Sequence, residues 1–239
     1  MANPYLPIPS RWTTIDLTPD SSGGFVLAAD SGGTPKTGEE TYWDGGIPWL
    51  TPKEITGEGT PLYVSHTERT ISELGLATSG AKLLPAGTVL LTKRAPVGAV
   101  SIAAVPITTN QGFLNFTCGP KLNPIYLAFW LRTNKPYLDA VANGSTYPEL
   151  YKGDLFEFLM GVPPLEEQEA IVGCFLSIQK LQFACKMAEQ SSTDPAEVTR
   201  IQARFRRLVE LRESLAPFLL TGRLAPRDSL EVLQYAGIR

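Results

Sequence analysis

Polar and basic side chains that suit contacts to a phosphate or a nucleobase are concentrated in four short segments of the first 160 residues. These segments are residues 32–37, 93–94, 110–111 and 145–152. Hydroxyl groups and lysines bind phosphate oxygens, an arginine can donate two parallel hydrogen bonds to guanine, and asparagine or glutamine amides pair with adenine. On this chemistry the candidate nucleic-acid contacts are Thr34, Lys36, Thr37, Lys93, Arg94, Asn110, Gln111, Ser145, Thr146, Tyr147 and Lys152.

Each segment also has a purely structural interpretation, which the sequence leaves open. Residues 32–37, Gly-Gly-Thr-Pro-Lys-Thr, and the Asn-Gln-Gly of residues 110–112 have the composition of ordinary turns. The basic pair at 93–94 also suits the solvated end of a strand. Trp43 and Trp49 are assigned to the hydrophobic core rather than to base stacking, because a buried indole supplies a large apolar surface.

Side chains for acid–base catalysis or metal binding are sparse. The chain has one histidine, His66, which lies in a polar segment and argues against histidine-based catalysis and most metal sites. Its three cysteines lack the C-x-x-C spacing of a zinc site and are too few and scattered for a disulfide framework. No G-x-x-x-x-G-K-S/T loop for a nucleotide is present. We therefore expect no catalytic residue, no metal and no cofactor on this chain.

Two motifs of DNA-modifying enzymes are approached but not completed. Residues 149–152, Glu-Leu-Tyr-Lys, are one residue too long to match the Glu-x-Lys pair of many nucleases. The Asn-Pro pairs at 3–4 and 123–124 do not continue, after their proline, into the Pro-Tyr or Pro-Phe with which amino-methyltransferases hold a flipped adenine. The pattern favours binding over catalysis.

The charge distribution is unusual for a nucleic-acid-binding protein. The net charge is -3 at pH 7, whereas such proteins are usually basic. The first 160 residues hold 11 Lys and Arg against 14 Asp and Glu. Any face that binds a nucleic acid must therefore be a local basic patch rather than a global positive field.

The overall composition is that of a globular protein. Hydrophobic residues make up 43% of the chain and charged residues 19%, which is enough to bury a sizeable core. No apolar run reaches the roughly 20 residues of a membrane helix, and the N-terminus lacks the basic-then-apolar order of a signal peptide. We expect a cytoplasmic protein.

Residues 1–162 are predicted to form an α/β (α+β) domain. Glycine and proline separate short apolar segments, of which residues 88–92, 99–103 and 113–117 are predicted strands. Asn123 followed by Pro124 predicts the cap and the first position of a helix. Pro136 is expected to break that helix and restart another to about residue 142.

Residues 163–225 are predicted to form a long helical, coiled-coil-like region, followed by a tail at 226–239. Acidic residues at 166–169 suit the first turn of one helix, and Asp194-Pro195 followed by Glu197 suits the start of another. Pro217 is expected to kink or end the second helix. Apolar residues alternate at spacings of three and four, which is typical of a helix–helix seam. The predicted dimer or partner positions are Ile171, Phe175, Ile178, Leu181, Val198, Ile201, Phe205, Leu208, Leu211 and Leu215.

Several segments, taken in order, resemble one protein family. They include Gly-Gly-Thr-Pro-Lys, the run Tyr-Trp-Asp-Gly-Gly-Ile-Pro-Trp-Leu-Thr-Pro-Lys and the run Met-Gly-Val-Pro-Pro-Leu-Glu-Glu-Gln. Their order and spacing over residues 6–170 resemble the specificity subunits of type I restriction-modification systems. Residues 206–224 resemble the distal conserved helix of that family. The matching segments are residues 6–12, 31–36, 42–53, 82–88, 93–98, 109–113, 144–146 and 160–168.

This resemblance implies a non-catalytic subunit that confers DNA sequence specificity on an adenine methyltransferase and, where present, on a restriction subunit. S-adenosylmethionine and ATP would be bound only by those partners. Family members usually carry two recognition domains, whereas this sequence has one, which implies a half-length form that pairs with itself through its helices. Such a pair has two-fold symmetry, so its target would be an inverted repeat with a fixed spacer. The helices would also dock the methyltransferase subunits.

Two other interpretations compete with this one. The weak basicity favours a protein-only scaffold, in which a small α/β domain on a helical hairpin binds other proteins. A recognition fragment of a fused restriction–methylation enzyme is disfavoured by the missing catalytic motifs. The ordered set of motifs favours the specificity subunit over both.

Overall fold

A computed structural model describes residues 8–19, 24–57, 59–94, 96–142, 148–156 and 159–226 of the chain. The chain forms two compact units. One unit comprises residues 15–160 and holds mixed β-sheets with short helices. The other joins the described residues before Ile15 to those from Gly161 onwards and holds two long helices. The predicted α/β fold followed by a long helical region is confirmed.

The strands and helices of the described residues are numbered in chain order. The strands are β1 (Thr13–Ile15), β2 (Val26–Ser31), β3 (Trp43–Leu50), β4 (Tyr63–Val64), β5 (Arg69–Ile71), β6 (Val89–Thr92), β7 (Val100–Ala103), β8 (Thr108–Thr109), β9 (Phe113–Cys118) and β10 (Met160–Val162). The helices are α1 (Glu73–Ala77), α2 (Pro124–Thr133), α3 (Lys135–Ala142), α4 (Lys152–Phe156), α5 (Leu165–Ser191) and α6 (Pro195–Leu219).

A five-stranded sheet in the order β2-β9-β6-β7-β4 forms the centre of the first unit. The β2–β9, β9–β6 and β6–β7 pairs are antiparallel, and β7–β4 is parallel. The three strands predicted from sequence are β6, β7 and β9, whose apolar residues are almost wholly buried. Helix α2 packs against β6 and β7, and the Asn123 side chain caps it by accepting hydrogen bonds from the backbone N–H groups of Ile125 and Tyr126.

A second sheet of the same unit has three strands in the order β5-β3-β8. Strand β3 pairs antiparallel with β5 and parallel with β8. The β3–β5 register shifts between Trp43 and Ile47, where Gly46 has φ +88°. The Trp43 and Trp49 side chains are 7% and 6% exposed, which confirms that both belong to the core.

Helices α5 and α6 pack against each other as a hairpin joined by residues 192–194. Helix α5 has Glu166 and Glu167 in its first turn, where the helix dipole favours acidic groups. Helix α6 is capped by Asp194, whose carboxylate accepts a hydrogen bond from Ala196 N at 2.9 Å. It continues for two residues beyond Pro217 and ends at Leu219.

The N-terminal segment of the described chain belongs with the helical unit. The Arg11 guanidinium lies 2.9 Å from Glu167 Oε1, and the Trp12 indole N–H donates to Glu167 Oε2 at 3.2 Å. A Cβ at Gly222 would lie 2.9 Å from the Trp12 ring, so this glycine leaves room for the buried indole. The compact units therefore divide the chain at Ile15 as well as near residue 160, whereas the sequence suggested one boundary at 162.

Across the part of the chain that the structure describes, no helix combines the length and the hydropathy needed to cross a membrane. Cys118, Cys174 and Cys185 form no disulfide with one another, and the last two are buried.

Candidate nucleic-acid interface

Three of the predicted contact segments lie at the same end of three neighbouring strands in the five-stranded sheet. Strand β9 lies between β2 and β6 and is antiparallel to both. Ser31, at the end of β2, pairs with Leu114, and Thr92, at the end of β6, pairs with Phe113. Residues 32–37, 93–94 and 110–111 therefore lie side by side. We call the surface formed by these strand ends and their loops, together with residues 148–152, the loop edge.

Hydrogen bonds join the loop-edge segments to one another. Gly33 N donates to Thr109 O at 2.9 Å, and the Thr34 hydroxyl donates to Gln111 Oε1 at 2.5 Å. Lys93 N donates to Gly112 O at 2.8 Å. Residues 32–37, which precede the other two segments by more than 50 residues in sequence, thus form one continuous surface with them.

The loop at 32–37 is held from beneath by the tryptophans of β3. The Trp49 indole N–H donates to Gly33 O at 2.9 Å, and the Trp43 indole N–H donates to Lys36 O at 3.2 Å. Gly32 is required by close packing, since a Cβ there would lie 2.1 Å from the Thr109 carbonyl oxygen. The side chains of Lys36 and Thr37 extend from this fixed backbone and are exposed, and Lys36 lies 3.9 Å from Glu39 Oε1.

The Asn-Gln turn combines structural and solvent-facing groups. Asn110 Oδ1 accepts a hydrogen bond from Gly112 N at 2.8 Å, so this part of its amide stabilises the turn. Gln111 is exposed, and its carbonyl oxygen is engaged by Thr34. The Gln111 amide NH₂ and the Asn110 NH₂ remain as donors oriented by the turn.

Lys93 and Arg94 have different surroundings despite being neighbours. The Lys93 ammonium lies 3.0 Å from Glu149 Oε1, and the two side chains are only 18% and 23% exposed. Leu150 N also donates to Lys93 O at 2.8 Å. Lys93 thus fixes residues 148–152 to the end of β6, which gives it a structural role. Arg94 is half-buried and has no carboxylate partner among the described residues.

The last predicted segment is only partly described. Ser145, Thr146 and Tyr147 lie outside the described residues. Lys152 begins α4, and its ammonium donates to the backbone carbonyl of Ala29 on β2. Lys152 therefore ties the segment to the sheet.

One basic residue of this region was missed by the sequence reasoning. The Arg69 guanidinium carbon of β5 lies 3.5 Å from the centroid of the Trp43 ring and 5.8 Å from that of Trp49. No local signal marks Arg69, because it reaches Trp43 only through the β3–β5 pairing.

The described ranges hold few side chains that could serve metal binding or catalysis. No group of three or more His, Cys, Asp or Glu residues there has the arrangement to hold a metal ion. The clearly shifted pKa is that of Cys118, which burial raises to about 12. Cys118 ends β9 at the opposite end from Gln111, so its thiol is remote from the loop edge.

The chain matches the family model of the type I restriction modification DNA specificity domain over residues 24–185, more than half of its length. The chain belongs to this family. The matched range includes the described loop-edge segments and extends into α5.

Curated relatives of the specificity family match this chain over part of their length. The type I restriction enzyme MjaIX specificity subunit of Methanocaldococcus jannaschii is 42% identical over 142 residues, which are 59% of this chain and 33% of that protein. The EcoR124I/EcoR124II specificity subunit of Escherichia coli is 29% identical over 148 residues, or 59% of this chain and 36% of that protein. The chain thus spans about a third of the length of these specificity subunits.

Solved structures of the specificity family share the fold. The HsdS subunit from Thermoanaerobacter tengcongensis has a TM-score of 0.57 at 20% identity over 93% of this chain and 48% of that one. A chain from a structure of complex assembly and conformational transition in the type I R-M system has a TM-score of 0.59 at 22% identity. That match covers 93% of this chain and 49% of the other.

Proposed function

We propose that this chain is a DNA-sequence-recognition subunit of a type I restriction-modification system and carries no catalytic residue of its own. The main support is the loop edge, where three separate segments of hydroxyl, amide and basic residues meet. Such convergence is expected of a surface that contacts several base pairs at once.

We assign some residues of the loop edge to direct contact with DNA and others to support of the backbone. Lys36 and Thr37 are exposed and would contact phosphate, while Arg94 would donate to a guanine edge. The amides of Asn110 and Gln111 would donate to base acceptors. Lys93 and Lys152 hold the surrounding backbone through Glu149 and the Ala29 carbonyl, and thereby keep the contacting residues in register.

The helices are proposed to pair two copies of the chain, but through part of the predicted seam only. Ile171, Phe175, Ile178, Leu208 and Leu215 are buried within the single chain. Leu181, Val198, Ile201, Phe205 and Leu211 are half-buried, and Phe183 and Met187, also on α5, are 64% and 46% exposed. A second copy that covers the part of the hairpin near residues 192–194 would remove this apolar surface from water.

The remaining partners follow from the proposed role. The chain would direct an adenine methyltransferase subunit, and a restriction subunit where one exists, to its site. S-adenosylmethionine and ATP would be bound by those subunits. A symmetric pair of chains would select an inverted repeat with a fixed spacer.

Selection of duplexes from a random library tests this proposal. The chain is purified with the methyltransferase subunit of its own system, and bound DNA is sequenced after several rounds at physiological salt. We expect one bipartite inverted repeat to be enriched. If the assembled complex enriches no sequence, the recognition role is wrong, and if it enriches a single half-site, the symmetric pairing is wrong.

A further inference from the structure

We propose that Arg69 contacts the target DNA directly and that Trp43 fixes its orientation. This inference rests on the proposed function and adds a residue outside the segments expected from sequence. The contacted group would be a pair of adjacent acceptors, either O6 and N7 of a guanine or two oxygens of one phosphate.

The tryptophans beneath Arg69 form a rigid support. The Trp43 and Trp49 rings are 5.0 Å apart and nearly perpendicular, with an interplanar angle of 85°. Both rings are buried, and the indole N–H of each donates a hydrogen bond to a backbone carbonyl of the 32–37 loop. The indole N–H groups of Trp43 and Trp49 therefore position the 32–37 loop, and the face of the Trp43 ring positions the Arg69 guanidinium.

The geometry of Arg69 leaves its hydrogen-bond donors available. The guanidinium carbon is 3.5 Å from the Trp43 ring centroid, while the residue as a whole is exposed. A guanidinium stacked on a ring keeps its N–H groups in its own plane, where they can still donate hydrogen bonds. Stacking also reduces the conformational entropy that a long side chain loses when it binds.

No acidic side chain neutralises Arg69 within the part of the chain that is described. Its sequence neighbour Glu68 lies 3.5 Å from the Lys53 ammonium, and Glu68 N donates to Glu54 Oε1 at 2.7 Å. Lys36, Lys82, Lys93 and Lys135, by contrast, all have a carboxylate within 4 Å. In a chain of net charge -3, an uncompensated and oriented arginine is the kind of local positive site that DNA binding requires.

Arg69 also lies close to the loop edge. Arg69 on β5 pairs with Trp49 on β3, and Trp49 pairs on its other side with Thr108 on β8. Thr108 precedes the Asn110-Gln111 turn by two residues. Two strand spacings correspond to roughly 10 Å, or about three base pairs along B-DNA. Arg69 and the loop edge are therefore near enough to contact one duplex together.

Binding by Arg69→Ala and Arg69→Lys variants tests the inference in the complex with the methyltransferase subunit. The matched control is Lys121→Ala, because Lys121 lies 5.8 Å from the Phe25 ring at the opposite end of β2 and β9. Each complex is titrated with the selected duplex, with all single-base variants of it and at several salt concentrations.

We expect Arg69→Ala to weaken binding of the selected duplex about 5- to 150-fold and the control to leave it unchanged. A guanine contact appears as lost discrimination at one position in both Arg69 variants. A phosphate contact appears as a uniform loss, with a smaller salt dependence for Arg69→Ala and near-normal binding by Arg69→Lys. Wild-type affinity and sequence choice in both Arg69 variants would overturn the inference. An unselective wild-type complex would instead overturn the proposed function.

Discussion

Arg94 and Lys93 are adjacent basic residues that we expect to act in different ways. Substitution Arg94→Ala should weaken specific DNA binding by the assembled complex about tenfold without changing the free energy of unfolding, because Arg94 has no ion-pair partner among the described residues. Lys36→Ala should act similarly but more weakly, as an exposed phosphate contact. Equilibrium titration beside denaturant unfolding measures both quantities.

Lys93→Ala should instead lower the free energy of unfolding. Removing the ammonium leaves Glu149 partly buried without its partner, which we expect to cost about 1–2 kcal/mol, less than for a fully buried pair. The Lys93→Ala/Glu149→Gln double variant should recover part of that loss. Equal stability of Lys93→Ala and the wild type would contradict a supporting role for this ion pair.

The Cys118 thiol should be unreactive in the folded chain. Burial raises its pKa from the ordinary value near 9 to about 12, and only the thiolate is nucleophilic. At pH 8 iodoacetamide should label Cys118 rapidly in denaturant and very slowly under native conditions, as measured by peptide mass spectrometry. Since the unfolded chain gives up this proton first, the thiol's contribution to stability should be lost as the pH rises from about 9 toward 12. Fast native labelling would contradict the raised pKa of this half-buried thiol.

At the level of elements, the 32–37 loop lies so close to β8 that a larger residue at position 32 should disturb both. Gly32→Ala would place a methyl group 2.1 Å from the Thr109 carbonyl oxygen, so the loop must move. We expect a loss of about 1–3 kcal/mol in the free energy of unfolding, together with weaker DNA binding by the complex. Gly38→Ala is the matched control, because a Cβ there meets nothing within 4 Å. Similar behaviour of the two variants would show that the loop tolerates displacement.

Local signals in the sequence predicted the elements well. Turn residues bounded β6, β7 and β9, and Asn123 and Asp194 marked the starts of α2 and α6, because caps and turns depend on a few neighbouring residues. The sites of Trp43 and Trp49 in the core followed from residue type alone.

Contacts between segments that are distant in sequence could not be predicted from local sequence patterns. The sheet order that brings residues 32–37, 93–94 and 110–111 together is not encoded in any one segment. The same holds for the Lys93–Glu149 ion pair and for Arg69 on Trp43, which depend on strand register. Helical spacing identified the apolar seam but not its partner, because the periodicity is the same for an internal hairpin and for a dimer.

At the scale of the whole molecule, the exposed apolar surface of the hairpin predicts self-association. Phe183→Glu should weaken the dimer at least tenfold, since burying a phenylalanine side chain is worth roughly 1.5–3 kcal/mol. Ser177→Glu, on an exposed part of the same helix, is the control for the added charge. Sedimentation equilibrium over a range of concentrations measures both variants. A wild-type chain that stays monomeric at micromolar concentration, with or without methyltransferase, would contradict the pairing.

The order of strands in the five-stranded sheet also has a consequence for how the chain folds. Strands β6, β7 and β9 follow one another closely in sequence, whereas β2 precedes them and joins the outside of β9. The β2–β9 pairing closes the longest chain segment of that sheet, and long closures are entropically costly and slow. The 32–37 loop should thus take up its position late, and during synthesis the loop edge cannot be complete until β9 has left the ribosome.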